Sequence, residues 1–289
     1  MAEAAPGGSR GPVDAERVPL ELQAHVAAYL SGSREPVPAK SSATVVLLRE
    51  GAAGLEVYLL RRHRQMAFAA GMYAFPGGTV DPRDFDTAVA WAGPTPEQWA
   101  DRLGCTPAEA RALVCAATRE TFEESGVLLA GSTVRTVVAD TTGDDWEQDR
   151  GALVDRRLAF SDFLLRRGLV LRTDLLAAWA HWITPEFEPR RYDTRFFLAA
   201  MPGGQRTRDV SGEADHVTWM RPSDALTGVE AGQMEMLPPT SVTLRELSGY
   251  TSVDEAIGAA GRRVMAAIMP GVERVDGELY FVDMFGPPR

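Results

Sequence analysis

The sequence predicts an α/β fold, and three observations carry that prediction. A helix between residues 106 and 126 has both ends marked. Apolar runs of strand length precede it at 43–48 and 55–60. Further strand-like runs follow it at 180–184, 192–201 and 216–220. Strands on both sides of a central helix permit a sheet with helices packed against it.

The helix is the best-specified element. Thr106 suits the N-cap, Pro107 the first helical position and Glu109 the third, the Thr-x-x-Glu pattern of a capping box. Gly126 stands where a left-handed residue ends a helix. Leu113, Val114, Ala116, Ala117 and Phe122 supply apolar surface, while Glu120, Glu123 and Glu124 fall at i, i+3 and i+4 and share one face. Like charges at that spacing cost roughly a few tenths of a kcal/mol per exposed pair, and they lie towards the helix end that disfavours anions. A solvated acidic face is one reading of this trio. The other is a divalent cation, for which hard oxygen ligands select Mg²⁺ or Mn²⁺ with part of the shell left to substrate phosphates.

The remaining elements follow in order. Residues 1–12, rich in Ala, Gly, Ser and Pro, are expected to be disordered, and 14–31 to hold a short helix. Pro36 and Pro38 open a linker. Residues 43–48 and 55–60 make a hairpin, a loop carries Arg61 to Arg64, and 73–75 is a short strand leading to Pro76-Gly77-Gly78. Residues 96–103 form a helix packed through Trp99, and 127–130 a short strand. Residues 131–180 read as mostly helical, with 152–167 as the clearest stretch. Pro222 opens a short helix, and 243–247 and 252–263 are C-terminal helices. The run 277–284 reads as a strand that either closes the fold or pairs with another subunit of a homodimer.

Composition narrows the function. A net charge of −10 argues against sequence-independent binding of a nucleic-acid backbone. Cys105 and Cys115 supply neither a disulfide framework nor a metal spacing. No apolar run reaches the length of a membrane span, and the N-terminal residues lack a signal-peptide core, so a cytoplasmic protein without a membrane partner is expected.

The run Arg119-Glu120-Thr121-Phe122-Glu123-Glu124-Ser125-Gly126-Val127 resembles the second half of a Nudix box. Gly78 with Asp84, following Pro76-Gly77, resembles the first half. Asp84 stands where the box has Glu, and Thr121 where it has an aliphatic residue. Asp84 and Arg119 are separated by 34 residues instead of seven, an insertion of 27 at about 85–111. The resemblance implies an α/β/α sandwich with a mixed central sheet, here with helical insertions and a C-terminal helical extension. The expected organisation is an N-terminal linker at 1–40, the hydrolase domain at 41–250, and a C-terminal helix and tail at 251–289 packed on it.

The resemblance also implies a reaction: metal-dependent hydrolysis of a diphosphate within a nucleoside diphosphate derivative, with Mg²⁺ or Mn²⁺ as cofactor. Its metal ligands would be Glu120, Glu123, Glu124 and the carbonyl of Gly78, with Arg119 bracing a carboxylate. Glu213, before the strand ending in Trp219, is the expected fourth ligand or base, with Asp215 and Glu186 as rivals; Glu123 and Glu124 are the other catalytic candidates. Arg190, Arg191 and Arg195, in a stretch dense in arginine and aromatics, together with Arg64, are expected to grip substrate phosphates; a surface pairing with Asp193 is the other reading of that cluster. This cluster, Phe75 before Pro76-Gly77-Gly78 and the long insertion resemble the coenzyme A diphosphatase branch of the family. Gly71 and Phe75 match its coenzyme A motif, while its arginine position is Ala67. Coenzyme A or acyl-coenzyme A is thus one candidate among nucleoside diphosphate derivatives, with Ala67 counting against it. An ADP-ribose or dinucleotide pyrophosphatase and a non-catalytic nucleotide sensor are the alternatives.

Overall fold

The computed structural model describes residues 17–64, 69–208 and 214–282. In chain order these hold α1 (Leu20–Leu30), β1 (Lys40–Gly51), β2 (Gly54–Arg62), β3 (Tyr73–Ala74), β4 (Gly77–Thr79), β5 (Trp91–Ala92), α2 (Pro96–Leu103) and α3 (Pro107–Ser125). Next come β6 (Ala130–Gly131), α4 (Asp144–Val154), α5 (Phe160–Arg166), β7 (Val170–Arg172), β8 (Ala177–Ile183), β9 (Tyr192–Ala200) and β10 (Ala214–Met220). The chain continues through α6 (Pro222–Glu230), α7 (Pro238–Leu247), α8 (Val253–Ala260), β11 (Ala267–Ile268), β12 (Gly271–Val275) and β13 (Glu278–Val282). A 3-10 turn, Pro82–Phe85, follows β4.

The main sheet runs β10-β2-β1-β9-β8-β11, with β3 added to β2 and β4 to β1. It is mixed: β1 lies antiparallel to β2 and parallel to β9. Both faces are covered, which explains why β1 and β9 read as nearly continuous apolar runs. Ala43, Val45, Leu47, Phe197 and Ala199 face α2, α3 and α5 in one core. Val46, Leu48, Phe196 and Leu198 face α6, α7 and α8 in another. Three layers result, the α/β/α sandwich that the sequence pattern allowed.

Several boundaries differ from the sequence reading. The helical stretch at 152–167 is two helices, because Arg156 takes a left-handed conformation (φ 57°) and closes α4. The strand expected at 127–130 is reduced to Ala130–Gly131, which pairs with β7 rather than joining the main sheet. Helix α7 starts five residues before the expected Thr243, with Pro238 in its first turn, where a missing N–H costs nothing. The C-terminal segment contributes more than a helix. β11 extends the main sheet beside β8, and β13 pairs with β12 within the chain while Val18 donates to the Leu279 carbonyl at 2.9 Å. Val18, Val26, Phe187 and Leu279 form a small separate core there.

The insertion packs tightly. Trp99 lies edge-on to Phe197, ring centroids 5.7 Å apart. From the end of α2, Arg102 donates to the carbonyls of Arg263, at 2.6 Å, and Ala260. The insertion thereby ties the box helix to the C-terminal segment.

Candidate active site

The site is built on the last turns of α3. Its N-terminus carries the full reciprocal cap: the Glu109 amide donates to Thr106 Oγ1 at 3.3 Å, and the Thr106 amide to Glu109 Oε2 at 2.9 Å. A cap of this kind contributes about 1 kcal/mol. Gly126 ends the helix at φ 74°. Alanines at 110, 112, 116 and 117 are fully buried and let the helix lie close to the sheet. Thr121, the polar intruder in the box pattern, is also buried and donates to the Ala117 carbonyl at 2.7 Å.

The far end of α3 is buried too, so its orphan carbonyls need partners. Arg150 Nη1 donates to the Glu123 carbonyl at 2.7 Å, the Arg208 amide to Ser125 at 3.0 Å, and Thr141 Oγ1 to Gly126 at 2.6 Å. Sequence reasoning did not find these three residues. Their partners are backbone atoms, which leave no trace in residue types.

Beside this turn, β4 pairs with β1 and sets Gly78 opposite Ala43 and Gly77 opposite Thr44. The Gly77 amide donates to Glu124 Oε2 at 2.8 Å. A Cβ on Gly78 would stand 2.5 Å from the Glu120 carboxyl carbon, and one on Gly77 would stand 2.6 Å from the Ala43 carbonyl oxygen. Both glycines are needed for close approach.

Arg119 gathers the acids. Its Nε and Nη2 fork onto Asp84 at 3.1 and 2.9 Å, Nη1 reaches Glu120 at 2.7 Å and Glu123 at 3.4 Å, and Nη2 also donates to the Thr79 carbonyl at 3.0 Å. Asp84 is buried in the 3-10 turn and accepts from the Asp81 amide at 2.8 Å. Burial works against the Arg119 charge, but the Asp84 hydrogen bonds and the charges of Glu120, Asp84 and Glu123 outweigh it and raise its pKa. Glu123 is pushed up to about 7, chiefly by burial and then by the Glu120 charge, with Arg119 opposing.

Among the described residues no three His, Cys, Asp or Glu side chains converge closely enough to hold an ion as they stand. Glu124 turns an oxygen to Gly77, while Glu120 and Asp84 turn theirs to Arg119. The donor set nevertheless fits a hard divalent cation. Its side chains offer carboxylate oxygens, those of Asp84, Glu120 and Glu123 gathered around a single guanidinium, and the Glu120 carboxyl lies directly against Gly78, where only a glycine leaves room for it.

Other expected site residues are placed differently. Glu213 lies outside the described residues. Its rivals are engaged elsewhere: Asp215 accepts from Arg61 Nε at 2.5 Å, and Glu186 accepts from the Tyr29 hydroxyl at 2.6 Å beside the small N-terminal core. The expected arginine grip is corrected for two of its members. Arg195 is 6% exposed, pairs with Asp193, contacts His181 Nε2 at 2.6 Å and donates to the Leu103 carbonyl at 3.4 Å. Strand alternation turned it inward. Arg191 pins the linker, donating to the carbonyls of Thr184 at 3.0 Å and Val37 at 2.8 Å. Arg64 and Arg190 are exposed.

An α/β/α sandwich with acids on its central helix, set against a Gly-Gly strand, defines the Nudix class of protein. The family model described as the NUDT19 Nudix domain matches residues 96–247, more than half of the chain, and the chain belongs to that family. It is 25% identical over 234 residues to the acyl-coenzyme A diphosphatase NUDT19 of Xenopus laevis, covering 69% of this chain and 61% of the relative. To the human protein of the same name it is 27% identical over 240 residues, covering 71% and 63%. The chain thus spans under two thirds of the length of these relatives. A crystal structure of a Nudix hydrolase from Alicyclobacillus acidocaldarius superposes with a TM-score of 0.67 at 28% identity, covering 80% of this chain and 99% of that one.

Proposed function

We propose that this chain is a Mg²⁺- or Mn²⁺-dependent hydrolase that splits the diphosphate of coenzyme A or an acyl-coenzyme A. The observation that carries the reading is the group Glu120, Glu123 and Glu124 on one helix turn, the last two buried and the first half-buried, with Glu124 on the Gly77 amide, Glu120 against Gly78 and the Arg119–Asp84 pair beside them. A bound divalent ion would supply positive charge for the diphosphate oxygens and lower the pKa of a bound water. Glu120, Glu123, Glu124 and the Gly78 carbonyl would hold it. Arg119 keeps the carboxylates oriented, and its fork on Asp84 fixes the helix to the turn that leads out of the glycines. A box glutamate or Glu213 takes the proton from the attacking water. The products would be adenosine 3′,5′-bisphosphate and a 4′-phosphopantetheine derivative. Support for the substrate class comes from relatives named as acyl-coenzyme A diphosphatases.

Ala67, at the arginine position of the coenzyme A motif, favours keeping ADP-ribose or a dinucleotide as the second reading. Product analysis with Mg²⁺ and with Mn²⁺ on coenzyme A, acyl-coenzyme A, ADP-ribose, NADH and diadenosine polyphosphates separates the two, with Glu124→Gln as control. Preferred cleavage of the coenzyme A compounds, abolished in the variant, supports the reading. Preferred cleavage of ADP-ribose or a dinucleotide would replace it. Binding without metal-dependent turnover would make the protein a nucleotide sensor.

A further inference from the structure

Helix α3 carries no basic residue in its last turn, although that turn holds its acids and its negative dipole end. The compensating cations come from other parts of the chain. Arg150 of α4 is 6% exposed and donates Nη1 to the Glu123 carbonyl at 2.7 Å. The rest of its guanidinium is oriented by Glu147, which accepts from Nε at 3.0 Å and from Nη2. Glu147 also accepts from Arg208 Nη1 at 3.4 Å, and the Arg208 side chain lies where a Cβ on Gly126 would be 2.9 Å from Nε. Glu147 thus bridges two guanidinium groups that close the same helix end.

We propose that Arg150 is a positioning residue for the metal-binding carboxylates, acting through the backbone of Glu123. The inference rests on the metal-dependent reading given above. The accepting carbonyl belongs to the peptide that joins Glu123 to Glu124, so the bond sets the rotation of the turn that carries the Glu124 carboxylate to the Gly77 amide and the Glu123 carboxylate to Arg119. A buried guanidinium at a helix carbonyl is a demanding arrangement. The neighbouring carbonyls are closed by uncharged donors, the Gly126 amide, Thr141 and the Arg208 amide, whereas the Glu123 carbonyl receives a charged one. What Arg150 adds is charge and a fixed direction at the peptide that joins two of the three carboxylate-bearing residues.

The test is Mn²⁺ binding to the full chain without substrate, read as loss of the free-ion EPR signal, below the melting temperature of every variant. Partners outside the ligand shell typically tune metal affinity by an order of magnitude, so Arg150→Met is expected to raise the Mn²⁺ Kd about tenfold. Arg150→Lys keeps a charge at the carbonyl but loses the fork, and should recover part of the affinity. Glu147→Gln should weaken binding less, in the same direction. Leu279→Ala, in the small terminal core, lowers stability far from the site and should leave the Kd unchanged. The proposal is overturned if Arg150→Met binds Mn²⁺ as the unaltered protein does while Glu123→Gln does not. It is overturned equally if Leu279→Ala raises the Kd as much as Arg150→Met. If the unaltered protein and Glu123→Gln bind Mn²⁺ alike, or neither binds it, the metal reading itself fails and this inference falls with it.

Discussion

Asp84 and Arg119 are separated by 34 residues of sequence and by 2.9 Å in the structure. The intervening segment leaves from the 3-10 turn, packs Trp99 into the core, and returns directly into the capped start of α3. The insertion therefore lengthens the path between the halves of the box without moving them apart. Closing a longer loop costs little additional entropy when the loop itself is packed.

Breaking this pair should be expensive. Arg119→Ala leaves the buried Asp84 carboxylate without its fork, and removing one partner of a buried pair typically costs roughly 3–5 kcal/mol. Urea unfolding should show that loss, and the Asp84→Ala, Arg119→Ala double variant should be less destabilised than the sum of the singles. Additive losses would show that the pair contributes no coupling.

The two glycines should fail in different ways. Gly77→Ala drives a Cβ into the Ala43 carbonyl and the Thr44 backbone, which cannot swing aside, so it should cost about 1–3 kcal/mol of stability. Gly78→Ala meets the Glu120 carboxyl instead, a movable group. It should keep most of its stability and lose Mn²⁺ affinity and turnover, the latter by about a hundredfold if ligand geometry is displaced. Thermal melts and metal titrations on both variants distinguish these outcomes.

Glu123 gives the fold a pH dependence in the absence of metal. Its folded pKa of about 7 lies above the ordinary 4.5, so between those values the folded state binds more protons than the unfolded one. Its contribution to stability is therefore highest below about pH 4.5 and declines as pH rises through about 7. Metal-free protein should lose more in Tm between pH 5.5 and 8 than Glu123→Gln does. Mn²⁺ affinity should rise over the same range, with proton release detectable by calorimetry in buffers of different ionisation enthalpy.

The insertion is expected to stabilise rather than catalyse. Trp99→Ala should cost roughly 3–5 kcal/mol through the cavity it leaves. Arg102→Met strands the Ala260 and Arg263 carbonyls and should cost about 1–3 kcal/mol. Denaturant midpoints should fall in both, while kcat measured well below the transition stays near that of the unaltered protein. A large fall in kcat for a fully folded Arg102→Met would give the insertion a direct part in the site.

Local chemistry was legible in the sequence wherever cause and effect lie within a few residues. Thr106, Pro107, Glu109 and Gly126 mark the ends of α3 because caps act within one turn. Apolar runs marked β1 and β2 because both faces of those strands are covered. The spacing of Glu120, Glu123 and Glu124 placed them on one helix face. The sequence alone did not determine where the longer side chains point. Arg195 looked like a phosphate grip beside Arg190 and Arg191, yet the alternation of β9 turns it into the core, where Asp193 and His181 meet it. Arg150 carried no signal in the sequence, yet α4 packs it against the Glu123 carbonyl. Sequence specifies short-range hydrogen bonds and periodicity. The pairing of a charge with a distant backbone atom is decided only when the layers come together.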